Sequence, residues 1–166
     1  MVFWEGGGRN GVGILVDKDL RELVVEVRRV NDMLMTIKLV VGGFTLNIIS
    51  AYAPQAGLDE EVKRRFWEVL DEMVRAIPHT EKLFIVGDFN GYIRATSGGY
   101  DDVHGGFGLV DRNGGGTSLL VFARAFDLVI ANSSFPKTRK HLVTLRSSVV
   151  ETQIDYLLCR KYDRSL

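Results

Sequence analysis

Apolar residues recur along the chain with two different periods, and the change between them marks out the elements. From Val12 to Val16 and from Leu23 to Val30, β-branched residues dominate and apolar and charged positions partly alternate, which predicts two strands. A hairpin around Asp17-Lys18-Asp19 is expected to join them. Met33, Met35, Ile37, Leu39 and Val41 fall on one side of a third extended segment. Gly42-Gly43 then offers a turn tolerant of positive φ before a fourth strand from Phe44 to Tyr52. The first third reads as an antiparallel meander.

Pro54 ends that strand, and beyond Gly57 the period becomes helical. Val62, Phe66, Val69, Leu70, Met73, Val74 and Ile77 line one face, with Asp59, Glu60 and Glu61 at the favourable end of the helix dipole and Pro78 closing the helix. Leu83-Phe84-Ile85-Val86 is a short continuous apolar run before Gly87, as expected of a strand buried on both faces. A glycine-rich loop follows from Gly98 to Gly116. Thr117 or Ser118 is positioned to cap a second helix carrying Leu119, Leu120, Phe122, Ala123 and Phe126. Leu128 to Ala131, Leu142 to Leu145 and Gln153 to Leu158 read as further strands. This order predicts a mixed α/β sandwich with packed sheets and helices outside.

The chain has 166 residues, 46% hydrophobic and 25% charged, which suits one domain and excludes a disordered chain. Twenty-one Lys and Arg balance twenty-one Asp and Glu, so no overall positive field attracts nucleic acid, and an anionic ligand needs a local site. Cys159 is the single cysteine and cannot form an internal disulfide; it reads as a small buried apolar residue. Met1-Val2-Phe3-Trp4-Glu5 lacks the basic start and apolar run of a signal peptide, and no stretch reaches the roughly twenty apolar residues that cross a bilayer. An intracellular protein of the nucleus or cytoplasm, without membrane contact, is the expectation.

The chemistry concentrates in three segments. Gly87-Asp88-Phe89-Asn90-Gly91 stands where the apolar run surfaces. In an extended chain Asp88 and Asn90 point the same way, about 7 Å apart, with Phe89 toward the core. Such a pair suits orientation of a water or a phosphate oxygen. Asn-Gly is equally a turn dipeptide. Ser50-Ala51-Tyr52-Ala53-Pro54 ends one strand, and a tyrosine there either hydrogen-bonds a phosphate or packs at a sheet edge. Gln153-Ile154-Asp155-Tyr156-Leu157-Leu158 places an acid on an apolar strand, where it needs backbone amides or an arginine such as Arg146 or Arg160.

In this order the three segments resemble the motifs of the endonuclease/exonuclease/phosphatase superfamily. Gly105-Gly-Phe-Gly, Arg112-Asn113, Leu119-Leu120-x-Phe122 and Ile130-Ala131-Asn132 are similar to its apurinic/apyrimidinic-endonuclease-like and retrotransposon-type branches. The resemblance implies a four-layer α/β sandwich with two packed mixed β-sheets, carrying a Mg²⁺-dependent phosphodiesterase that acts on DNA. By that likeness Asp88 orients or activates the attacking water with Asn90 in the same network, Tyr52 contacts the phosphate, and Asp155 orients a catalytic histidine. Thr144-Leu145-Arg146 resembles a segment on the nucleic-acid side, with Thr144 and Arg146 as substrate contacts. Two family motifs are missing. No active-site Asn strand or metal-binding Glu precedes Gly11, and no Ser-Asp-His motif occurs by Leu166. The resemblance therefore implies a domain lacking strands at both ends, without its usual metal ligand or histidine. A non-catalytic remnant binding nucleic acid or protein, and a phosphatase acting on a phosphoinositide or nucleotide, stay open beside the endonuclease.

His79, His104 and His141 stand outside any Ser-Asp-His context and read as loop residues. Gly6 to Gly11 spells a dinucleotide fingerprint but opens a strand instead of following one. Lys137, Arg139 and Lys140, with nearby His141, form a modest basic cluster that reads either as a solvated loop or as a contact along a nucleic-acid backbone.

Overall fold

The computed structural model describes residues 2–3, 11–93, 98–106, 111–134, 145–146 and 151–163. The elements run β1 (Val2–Phe3), β2 (Ile14–Leu15), β3 (Val24–Arg29), β4 (Leu34–Val41), β5 (Phe44–Tyr52), α1 (Glu60–Arg75), β6 (Lys82–Asp88), α2 (Gly114–Ala125), β7 (Leu128–Ile130), β8 (Leu145–Arg146), β9 (Glu151–Thr152) and β10 (Asp155–Arg160). Six strands form one mixed sheet in the order β3-β4-β5-β6-β10-β7. Among the described residues the other strands make only two-stranded ladders, β1 with β2 and β8 with β9.

The meander is present from β3 to β5, with Gly42 and Gly43 at φ 56° and 85° in the tight turn between Val41 and Phe44. The expected hairpin around Asp17-Lys18-Asp19 is not. Asp17 instead accepts from the Asp19 N–H at 3.0 Å and caps a 3₁₀ turn over Lys18–Leu23, and β2 pairs with β1. The reason is local: an aspartate two residues before a free N–H closes an Asx turn, which holds the chain in a 3₁₀ coil.

β5 and β6 are parallel, so the link between them must cross over, and α1 provides it. Asp59 caps α1 by accepting from the Glu61 N–H at 2.8 Å, and Phe66, Leu70, Met73 and Val74 form its buried stripe. Its far end is tied to β10. The buried guanidinium of Arg160 donates to the carbonyls of Ile77, Pro78 and Glu81 at 2.9, 2.7 and 2.7 Å, three main-chain oxygens of the link between α1 and β6.

The second helix starts earlier than expected. Asn113, not Thr117 or Ser118, is the cap, accepting from the Gly116 N–H at 2.8 Å. Three glycines in the first turn concealed this start, because glycine is a poor helix former and reads as loop.

Helices α1 and α2 cover one face of the sheet. The main core lies there, joining Phe66 and Leu70 to Ile49, Leu83, Ile85, Tyr156 and Leu158. A smaller core on the opposite face gathers Val12, Val16, Met35, Ile37 and Leu39. Met35, Ile37 and Leu39 thus share one face as read, whereas Met33 packs against the main core and Val41 is exposed at the strand end. β6 differs from expectation. Leu83 and Ile85 are fully buried, but Val86 is 44% exposed, because the helices cover only one side of this central strand among the described residues. β10 is also displaced from the expected 153–158 and begins at Asp155. Of the strand expected over 142–145, residues 142–144 lie outside the described residues.

Candidate functional site

Strand register brings the three sequence segments together. Tyr52 at the end of β5 is paired with Asp88 at the end of β6, and Asp88 is paired in turn with Asp155 at the start of β10. Residues paired across adjacent strands share a face, so the three side chains form a row on the side away from α1 and α2. The ladder continues past the strand ends: Ala53 N–H donates to the Asp88 carbonyl at 2.8 Å, and Phe89 N–H to the Ile154 carbonyl at 2.9 Å. Gly87 makes the close approach possible. A Cβ there would stand 1.8 Å from the Ala51 carbonyl oxygen, so no side chain fits between β5 and β6.

After Asp88 the chain leaves the extended conformation. Asn90 has φ 46°, and the expected alternation that would point it along Asp88 ends there. One oxygen of Asp88 accepts from the Asn90 N–H at 2.8 Å, and the Asn90 carboxamide donates to the Ala53 carbonyl at 2.7 Å. Phe89 is 1% exposed and stacks on Trp67 at 6.1 Å, as its inward position predicted.

The loop bearing Asn90 is seated on the start of α2. Asn113 Oδ1 accepts from both the Tyr92 and Gly116 N–H groups at 2.8 Å. A Cβ on Gly91 would meet the Gly115 carbonyl carbon at 2.7 Å, and one on Gly116 would meet the Tyr92 carbonyl oxygen at 1.8 Å. Beside this junction Ala53, Pro54, Lys63, Trp67, Asn90 and Asn113 line a cavity of about 500 Å³. From below, the buried Tyr156 hydroxyl has the Gly91 and Gln153 carbonyls as acceptors at 2.9 and 2.8 Å and receives the Ile93 N–H at 3.4 Å. Burial, foremost, pushes this phenol well above its usual range.

Asn132 holds the opposite side of Asp155. Its amide donates to the Asp155 carbonyl at 2.9 Å and accepts from the Leu157 N–H at 3.1 Å, extending the β7 edge by a side chain. In the sequence Asn132 stood out only within the family resemblance. An asparagine one residue beyond a short apolar strand is the signal that was available.

The remaining candidates are dispersed. Arg160 is occupied at the end of α1, so of the two arginines considered for Asp155 it is engaged elsewhere. Arg146 belongs to β8, with Leu145 paired to Thr152. Thr144, His141, Lys137, Arg139 and Lys140 lie outside the described residues. His104 is buried and its Nδ1 accepts from the Gly106 N–H at 2.7 Å. Cys159, the single cysteine, is buried, as read.

Burial, the largest influence, raises the Asp88 carboxyl above the ordinary carboxylate range, and the charge of Asp155 adds to it; the Asn90 N–H opposes both. Among the described residues no three His, Cys, Asp or Glu side chains gather as a metal cluster. Two adjoining carboxylates still fit a largely hydrated Mg²⁺, which needs only one or two of them and relieves their mutual repulsion.

Craniofacial development protein 2 from Bos taurus is 33% identical to this chain over 159 residues, covering 95% of the chain and 26% of the relative. In sequence the chain is craniofacial development protein 2-like. The same-named protein from Tragulus javanicus is 32% identical over 159 residues, 95% of this domain and 27% of the relative. The domain thus spans about a quarter of the length of the curated relatives it matches. No protein-family model matches it. Among solved structures, the endonuclease domain of TRAS1, a telomere-specific non-LTR retrotransposon, superposes with a TM-score of 0.62 at 15% identity over 98% of this chain and 67% of its own. The 3′ phosphatase NExo from Neisseria, bound to a product DNA hairpin, gives 0.58 at 11% identity, covering 86% of this chain and 60% of its own. These identities establish a shared fold. The six-stranded sheet is what the described residues carry of that shared fold, and no helix among them is long and apolar enough to cross a membrane.

Proposed function

We propose that the domain is the phosphate-facing part of a Mg²⁺-dependent phosphodiester hydrolase of the DNA-endonuclease type. The observation that carries this reading is the row Tyr52, Asp88 and Asp155 on three adjacent strands. In this reading Asp88 takes the proton of the attacking water. Its raised proton affinity favours that role, and the Asn90 N–H occupies Oδ1, leaving Oδ2 to accept. The Tyr52 hydroxyl donates to a phosphate oxygen. Asn90 holds the strand end in place through the Ala53 carbonyl. Asp155 orients a catalytic histidine by hydrogen bonding, and Thr144 and Arg146 meet the nucleic-acid backbone. Asp88 and Asp155 are the residues that would hold Mg²⁺, which when bound would supply charge neutralisation at the phosphate.

The open sheet face supports completion by further strands. Val86 is 44% exposed there, and Ile48 and Leu157 are half-buried. A second sheet, as in the four-layer sandwich, would cover them.

The test is nicking of supercoiled plasmid with Mg²⁺ by residues 1–166 and by the chain extended with its natural flanking sequence. The extended form is expected to nick, and Asp88→Ala to slow it by about 10² to 10⁴-fold, the usual range for a lost general base. Equal nicking by Asp88→Ala would refute the assignment. A second reading, a binder of nucleic acid or protein without turnover, draws on the lack of a three-ligand metal cluster among the described residues. Salt-dependent oligonucleotide binding with no cleavage by the extended chain would select it.

A further inference from the structure

The layer opposite the candidate site carries a surface that the hydrolase reading does not use. Trp67, Phe122 and Phe126 stand in a row between α1 and α2, with ring centroids 5.4 and 4.9 Å apart. They floor an open trough of about 640 Å³. Its α2 wall is small and uncharged: Thr117, Ser118, Val121 and Ala125. Val121 is 52% exposed and adds apolar surface to that wall. The α1 wall is acidic, formed by Glu68, Asp71 and Glu72, and the described lining includes no Lys or Arg.

Two of these acids are already answered along their own helix. Arg64 pairs with Glu68, and Arg75 pairs with Asp71 at 2.6 Å. Glu72 is exposed and makes no ion pair among the described residues. Arg75 also lies over the Phe126 ring at 5.2 Å, so an aromatic at the mouth of the trough already accepts a cation on its face.

We propose that the α1/α2 trough is a docking surface for a helical segment of a partner protein with an apolar face flanked by Lys or Arg. The apolar face fills the space above Trp67 and Phe122 against Val121, and the basic flank meets Glu72 and the acidic wall. Glu72 decides among occupants, since Glu68 and Asp71 are already paired: it meets a basic flank, whereas a second copy docking by the same face would set Glu72 against Glu72 and an anionic membrane surface would be repelled by it.

The test measures fluorescence anisotropy of a labelled synthetic helix of about five turns, long enough to form in part on its own. Leu and Phe occupy one face and Lys and Arg flank it; a control peptide keeps the apolar face and carries Glu in the flanks. The basic peptide is expected to bind residues 1–166 at least about tenfold tighter than the control, an energy within reach of a few charge contacts. Val121→Asp is expected to weaken it by about tenfold or more, and Glu72→Lys to narrow the difference between the two peptides. Both side chains are exposed, so unchanged thermal melts should show that the variants fold. Equal affinity for the two peptides, no binding of either, or binding indifferent to Val121→Asp overturns the proposal. A concentration-dependent dimer abolished by Val121→Asp also overturns it, in favour of self-association.

Discussion

Asp88 and Asp155 stand directly opposite one another on β6 and β10, so two carboxylates share one end of the sheet. Burial and this neighbour together raise the Asp88 carboxyl. An acid whose folded value lies above its unfolded one favours the folded state only while protonated. That contribution is complete below the unfolded value and is lost as pH rises through the folded one. Asp88→Asn, which keeps an acceptor for the Asn90 N–H, should therefore unfold at a higher urea concentration than the parent at pH 7. The gain should shrink as the pH falls through the raised folded value and be gone below the ordinary carboxylate value, about 4. A variant less stable than the parent at pH 7 would show that the charged form is not the costly one.

Gly87→Ala tests the close approach of β5 and β6. The added carbon falls 1.8 Å from the Ala51 oxygen and 2.7 Å from its carbonyl carbon, both main-chain atoms of a central strand. Neither can swing aside as a side chain would. A loss of roughly 3 kcal/mol or more in urea unfolding is expected, beyond ordinary overpacking.

Asn113→Ala removes one acceptor from two N–H groups, those of Tyr92 and Gly116. The loss of a helix cap alone costs about 1 kcal/mol, and stranding a half-buried N–H adds about as much again. A total near 2 kcal/mol is expected. A further sign should be faster amide exchange at Tyr92, which a simple cap would not show.

Tyr156→Phe removes the hydroxyl that engages the Gly91 and Gln153 carbonyls while keeping the buried ring. About 1 to 3 kcal/mol should be lost, because two buried acceptors are left short. If the loop at 91–93 depends on this hydroxyl, protease cleavage there should increase in the variant.

Much of the fold was legible because its elements carry simple periods. The stripe of α1, its aspartate cap and the Gly42-Gly43 hairpin follow directly from pattern. What pattern did not reveal was main-chain bookkeeping. Asp17 satisfies a 3₁₀ turn where a hairpin was expected, and Asn113 caps a helix whose first turn is all glycine. Val86 was read as buried because an apolar run does not say how many layers cover it. For the candidate site, motif order named Tyr52, Asp88, Asn90 and Asp155, but adjacency depends on strand register, which spacing along the chain leaves undetermined. Asn132 escaped because its work is done on a neighbouring backbone, and Asn90 departed from alternation because asparagine tolerates the left-handed region.

The seating of the Asn90 loop on α2 has a mechanical meaning. Where Gly91 faces Gly115, and Tyr92 faces Gly116, peptide planes touch with no rotatable side chain between them. There is no spring in that joint. The outward residues of α2 can be exchanged without disturbing the geometry at Asn90, whereas a tilt of the whole helix would be delivered to it undiminished.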